Sequence, residues 1–196
     1  MKSAKEASVE LPTTEQIEKE RARLRHKSRY SRTLRSTIAI LVVVAAAAVL
    51  VATLWMPVLR IYGSSMAPTL NDGQIVISLK TTDFKTGDIA AFYYGNKLLI
   101  KRYIAGASDW VYIDEDGTVS VNSIELDEPY LAEKALGQTD IELPYQVPDK
   151  RYFLMGDNRE SSVDSRNTAV GCASDDQIVG KVVYCIWPLD RFGPVR

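Results

Sequence analysis

Three textures follow one another along the chain: a polar stretch, an uninterrupted apolar run, and a long region of short alternating or apolar segments separated by turns. From Ile38 to Met56 nineteen residues carry no charge, Thr53 is their only hydroxyl, and no charged residue stands between Arg35 and Arg60. As a helix at about 1.5 Å per residue this run spans roughly 28 Å, close to the ~30 Å hydrocarbon thickness of a bilayer. A transmembrane helix is predicted over 36–56. Residues 1–35 hold too few apolar side chains for a core. Thr13-x-x-Gln16 has the form of a capping box, and Glu15 stands four residues before Lys19 in the favourable order, so this tail reads as solvated helix.

Residues 57–196 have a β texture. Gln74–Leu79 is a short apolar run behind the turn signal Asn71-Asp72-Gly73. Ile89–Tyr94 and Lys97–Ile104 flank Gly95-Asn96, a two-residue link suited to a tight hairpin, and Trp110–Ile113 and Thr118–Asn122 flank Asp116-Gly117. Arg151–Met155 and Ile178–Trp187 complete the predicted strands. Residues 123–148 carry Pro129, Pro144 and Pro148 amid mixed polarity and read as an irregular excursion or minor subdomain.

Charge changes this picture in one place. The net charge of −1 gives no global basic field for nucleic acid, yet Lys19, Arg21, Arg23, Arg25, Lys27, Arg29, Arg32 and Arg35 crowd the segment before the apolar run. Only Arg60 is basic in the twenty residues after it. That asymmetry predicts a cytoplasmic tail over 1–35 and an extracytoplasmic domain over 57–196, with Trp55 at the outer interface. The alternative is a cleaved secretory signal, disfavoured because its apolar run is usually shorter and its basic region far shorter than 35 residues.

The candidate chemistry is narrowed by what is scarce. His26 is the only histidine and precedes the span, so a Ser-His-Asp triad in the C-terminal region is excluded unless His26 crosses a membrane. Cys172 and Cys185 are the only cysteines, without a Cys-x-x-Cys pair, and supply no zinc set. They are either one disulfide or two buried thiols. Gly63-Ser64-Ser65-Met66-Ala67-Pro68-Thr69-Leu70 offers the best candidate nucleophile, Ser65, although such an octet also suits an ordinary loop. Without histidine, a serine needs another base. Lysine serves only when burial depresses its pKa, because at pH 7 an ordinary lysine is neutral about four times in ten thousand. Lys101 lies mid-strand behind Leu98-Leu99-Ile100, with Leu99 and Tyr103 on its face by the two-residue period; the plainer reading of Lys101-Arg102 is a solvated pair on a strand edge. Residues 156–166 (Gly-Asp-Asn-Arg-Glu-Ser-Ser-Val-Asp-Ser-Arg) are a loop in which two Asp/Arg sets are able to pair and a hydroxyl to hold an ammonium, or else a solvated turn.

Four boxes now stand in order: Ser65-Met66-x-Pro68-Thr69; Gly87-Asp88-Ile89; Lys101-Arg102 followed by Gly106; and Gly156-Asp157-Asn158-Arg159-x-x-Ser162-x-Asp164-Ser165-Arg166. Together they resemble the boxes of bacterial type I signal peptidases, over the span and essentially all of 57–196. The resemblance implies a mainly β fold: a single transmembrane helix followed by a coiled antiparallel sheet or partial barrel with a small inserted β subdomain. It implies Ser65 as nucleophile, Lys101 as general base and Ser162 as the hydroxyl that orients the lysine. Asp157, Arg159, Asp164 and Arg166 match the box that shapes the site, with Asp157, Asp164 and Arg166 as structural support, and Met66 and Pro68 would fix the nucleophile turn. The Ser65 backbone N–H would serve the oxyanion hole. Some members add a hydroxyl where this chain has Gly63, and Ala107-Ser108 replaces Pro-Gly before Asp109.

The activity so implied is a membrane-bound serine endopeptidase of the bacterial plasma membrane that removes signal peptides from secretory preproteins at Ala-x-Ala-like sites through an acyl-enzyme. Its partners are those preproteins and the lipid bilayer; no cofactor, metal or nucleic acid is expected. Phe92, Tyr93, Tyr94, Trp110 and Tyr112 are either core aromatics or side chains that dip into the membrane interface. Two other classes compete: a membrane-anchored β domain that binds partners without catalysis, disfavoured by the intact Ser65, Lys101 and Ser162, and a Ser-Lys autoprotease of the repressor-switch kind, disfavoured by a basic tail and span in place of a DNA-binding module.

Overall fold

The structure is a computed structural model describing residues 13–195; the first twelve residues of the expected tail and the side chain of His26 lie outside the described residues. Two compact units divide at Val51/Ala52. A single helix, α1 (Thr14–Trp55), joins the polar tail and the apolar run without a break. Its N-terminus bears part of the expected box, with the Thr13 N–H donating to Gln16 Oε1 at 3.0 Å, and Lys19 sits 3.8 Å from Glu15. Over Arg32–Trp55 the helix is apolar and long enough to cross a membrane. Every side chain there is exposed, on all faces, which in water would be costly and in lipid is not.

The second unit is mainly antiparallel β. β1 (Val58–Arg60), β2 (Ile75–Leu79), β3 (Ile89–Tyr94) and β4 (Lys97–Ala105) join β9 (Arg151–Met155), β10 (Ala173–Ser174) and β11 (Ile178–Trp187) in one sheet of order β1-β2-β11-β3-β4-β9-β10, to which β12 (Gly193–Pro194) adds along β11. Between β4 and β9 the chain builds a second sheet, from β5 (Trp110–Ile113), β6 (Val119–Val121), β7 (Ile124–Glu125) and β8 (Tyr145–Gln146), in the order β7-β6-β5-β8. Part of the irregular excursion thus edges a small inserted sheet that starts upstream, at Trp110. β7 and β8 are only two residues long, below what a hydrophobic period can signal.

β11 is the spine. β2 lies along one side of it; β3 covers the first half of the other side and β12 takes over at Tyr184–Cys185. β3 is buried on both faces, Ala91 in one core cluster and Ala90 and Phe92 in another, which is why its sequence runs apolar rather than alternating. β4 is therefore an interior strand between β3 and β9, not an edge. Phe92 is a core residue, whereas Tyr93, Tyr94, Trp110 and Tyr112 are exposed. Cys185 belongs to the cluster around Ile61 and Val182, Cys172 to the cluster under the second sheet, and both thiols are free.

Candidate active site

The turn bearing Ser65 is fastened at both ends. Met66 and Leu70, each about 2% exposed or less, anchor it in the core beside Val76 and Ile100, and the Leu70 N–H closes a turn on the Met66 carbonyl at 2.8 Å. Upstream, Gly63 takes φ +85°, which a Cβ would strain, and its N–H donates to Asp72 Oδ1 at 2.7 Å. That bond occupies the Gly63 donor. The Ser65 carbonyl accepts the Asn158 N–H at 3.0 Å, so the turn is tied to the loop of residues 156–166. Ser65 itself is partly exposed.

Lys101 comes from β4, and its neighbours make room for it. It pairs with Ala90 of β3, and the β4–β9 register, Arg102 facing Met155, puts Gly156 next in line beside it. A Cβ on Gly156 would overlap both the Ser162 hydroxyl and the Ser65 carbonyl oxygen, so those groups converge on the one residue able to accommodate them. Lys101 is 3% exposed, and its Nζ donates to Ser162 Oγ at 2.9 Å. The solvated-pair alternative fails here: Arg102 is 1% exposed as well. Burial drives the Lys101 pKa down to about 8; Asp164 opposes the shift, and Arg166 reinforces it. Burial prevails because the Asp164 charge is matched by the Arg166 guanidinium before it reaches the amine. Among the described residues there is no direct Lys101–Ser65 hydrogen bond.

The loop supports this arrangement through Asp164. One carboxylate oxygen, Oδ2, accepts from the Gly156 N–H (2.8 Å), Ser162 Oγ (2.7 Å) and Arg166 Nη2 (2.9 Å); Oδ1 accepts from Arg166 Nε (2.9 Å). Burial would raise the Asp164 pKa, but the Arg166 fork and the other donors outweigh it and hold the carboxyl below its usual range. Of the two Asp/Arg sets expected to close inside the loop, only Asp164–Arg166 does. Asp157 pairs instead with Arg102 of β4, by Nε (2.8 Å) and Nη2 (2.6 Å), and Arg159 with Glu128 of the excursion, Nη1 at 3.0 Å. The reason is geometric: Asp157 and Arg159 leave β9 on divergent paths, and each meets a charge that another segment brings.

Met66 and Pro68 lie in the Ser65 turn as expected, Met66 in the core and Pro68 exposed. Residues without an expected role also take part. Thr69 hydrogen-bonds Asp157, and the Tyr130 ring lies 3.7 Å from the Arg102 guanidinium carbon and bonds Glu128. No spacing signals Glu128 or Tyr130, which sit in a proline-rich segment and meet the site only through folding.

The Ser65 turn between β1 and β2, the buried, depressed Lys101 of β4, and the Ser162 hydroxyl and Asp164 carboxylate of the loop after β9 form a constellation suited to acyl transfer. The family model described as signal peptidase, peptidase S26, matches residues 34–187. The chain belongs to this signal peptidase family. Among curated relatives, signal peptidase I of Bacillus licheniformis is 34% identical over 166 residues, covering 78% of this chain and 88% of the relative. Signal peptidase IB of Staphylococcus aureus is 37% identical over 152 residues, covering 67% and 78%. A crystal structure of a signal peptidase I from Enterococcus faecalis aligns with 52% of this chain and 98% of its own, at 26% identity and a TM-score of 0.45. This signal peptidase family member is accordingly a peptidase, a hydrolase of peptide bonds.

Proposed function

We propose that the peptidase removes N-terminal signal peptides from secreted precursors, cutting after small residues at Ala-x-Ala-like sites by a Ser-Lys mechanism. The observation that carries this reading is the buried Lys101 amine, held by Ser162 and depressed to about 8, near a serine turn. A precursor lies extended along a sheet edge. Ser65 attacks the scissile carbonyl as neutral Lys101 takes its proton; the tetrahedral oxyanion collapses, the C–N bond breaks, and the Lys101 ammonium returns the proton to the leaving amine. A water then attacks the Ser65 ester as Lys101 takes its proton, the acyl C–O bond breaks, and the Lys101 ammonium returns the proton to Ser65 Oγ as the carboxylic acid product leaves. Among the described residues the Ser65 N–H donates to no protein acceptor, which suits it to the oxyanion.

The membrane arrangement belongs to the same reading: α1 spans the plasma membrane once, residues 1–35 are cytoplasmic, and 57–196 act outside. Apolar length supports the span and the basic run supports the orientation. Anchoring confines enzyme and signal peptide to one bilayer and raises their effective concentration.

The test incubates detergent-solubilised protein with an Ala-x-Ala precursor and compares it with Ser65→Ala and Lys101→Ala. Both variants are expected to lose at least a thousandfold in kcat/KM; equal cleavage by all three refutes the assignment.

A further inference from the structure

We infer that the cleft beside the Ser65 turn receives the first residues of the mature protein, on the amine side of the scissile bond, and that Glu133 and Glu160 bias which sequences it takes. The inference rests on Ser65 being the nucleophile.

The cleft holds about 370 Å³. Its walls are Ala67 and Pro68, just after Ser65; Ala132 and Glu133 of the excursion; and Asn158 and Glu160 of the loop. The Asn158 N–H is the donor to the Ser65 carbonyl, so the cleft opens within a residue of the nucleophile, and no residue of β4 lines it. Serine attack divides a substrate in two: an acyl part that stays on the oxygen, and an amine part that must leave on the other side. Selection for small side chains before the bond requires shallow pockets. A space of this size excludes no ordinary side chain. It therefore suits the segment in which every mature protein begins differently.

Its walls are also held. Arg159 binds Glu128, and Arg166 donates to the Leu136 carbonyl at 2.8 Å, so the excursion is clamped to the loop on either side of Ala132–Ala135. Asp157 and Arg159 also reach the cleft, but their side chains are buried and neutralised by Arg102 and Glu128. Glu133 and Glu160 are exposed. Among the described residues neither forms an ion pair, so two negative charges stand at the rim. Basic side chains shortly after the bond are attracted, and acidic ones repelled.

The experiment uses full-length protein in detergent and two peptides identical through Ala-x-Ala, with Lys-Lys or Glu-Glu at the second and third positions after the bond. Wild type is expected to favour Lys-Lys in kcat/KM by about three- to tenfold, with the preference shrinking at 1 M salt, where screening acts within about 3 Å. The pair Glu133→Gln/Glu160→Gln brings the ratio to about one, and Glu133→Lys/Glu160→Lys inverts it. Glu115→Lys, exposed in the β5–β6 hairpin, leaves it unchanged. If wild type cleaves both peptides and the double variants do not move the ratio, or Glu115→Lys moves it as much, the subsite is overturned while the roles of Ser65 and Lys101 stand. If wild type cleaves neither peptide, the proposed cleavage at Ala-x-Ala sites falls and the subsite with it.

Discussion

Lys101 donates a 2.9 Å hydrogen bond to Ser162, whose own hydroxyl proton is committed to Asp164 at 2.7 Å. The serine is thereby left an acceptor. It takes one N–H of the amine and leaves a deprotonated Lys101 with its lone pair directed elsewhere, which is the state a general base requires.

The first prediction concerns pH. Cleavage of an Ala-x-Ala precursor is expected to rise with pH through a midpoint near 8 as Lys101 loses its proton, and then level off; a rate still climbing steadily past pH 10 would mean that burial does not tune the base. The same shift acts on stability. Between about pH 8 and 10.5 the unfolded chain holds a proton that the folded one has released, so unfolding free energy increases with pH across that window. Below it the folded state carries the full cost of a buried ammonium. Lys101→Met is thus expected to be inactive yet more stable at pH 7, by up to about 3 kcal/mol, with the gain vanishing near pH 10.5. Urea titrations at pH 6, 9 and 11 check this.

Arg102 and Asp157 form a bidentate pair with side chains 1% and 0% exposed. Asp157→Ala strands a buried guanidinium and is expected to cost about 3–5 kcal/mol. Because Arg102→Ala strands the carboxylate in turn, the double variant should lose at least about 1 kcal/mol less than the two singles summed. Additive losses in a denaturant double-mutant cycle would contradict a tight pair.

Gly156→Ala tests space rather than backbone freedom. The added methyl overlaps Ser162 Oγ and the Ser65 carbonyl oxygen together. A cost of about 1–3 kcal/mol in stability is expected, with a loss of a hundredfold or more in kcat, since both groups must move to admit it. A fully active, folded variant would show that the two are not held in common.

The cysteines sit in separate core clusters as free thiols, and burial pushes the Cys172 thiol up to about 11. A thiol reagent should label neither in the native protein at pH 7 and both after denaturation. Cys172→Ser/Cys185→Ser should retain cleavage. Failure to label two thiols in the unfolded chain would indicate a disulfide.

Much of this molecule is legible in one dimension. The apolar helix is written as an unbroken run, and β3, β4, β9 and β11 as apolar segments between turn residues, because burial on one or both faces of a long strand dictates side-chain type at every position. The second sheet was harder to read. β7 and β8 are too short to carry a period, and they exist because β5 and β6 offer them edges. The loop of residues 156–166 was visible as a concentration of charge, but not the destinations of its charges. A sequence shows that Asp157 and Arg159 have opposite signs two residues apart; only the divergence of their side chains sends one to Arg102 and the other to Glu128.

The amino-acid order alone narrowed the chemistry: with His26 ahead of the apolar run and two cysteines in no metal pattern, a His-based triad downstream and a Cys/His zinc set were set aside, and a serine nucleophile there would need a lysine as its base. Whether that lysine is ordinary or perturbed was decided by tertiary structure. Its pKa depends on how much water is removed and on which charges answer one another nearby, and those are properties of β4 lying between β3 and β9 with Gly156 alongside, of Ser162 brought 61 residues along the chain to its nitrogen, and of Arg166 quenching Asp164. Desolvation and Coulomb interaction act through space, so no linear pattern encodes them.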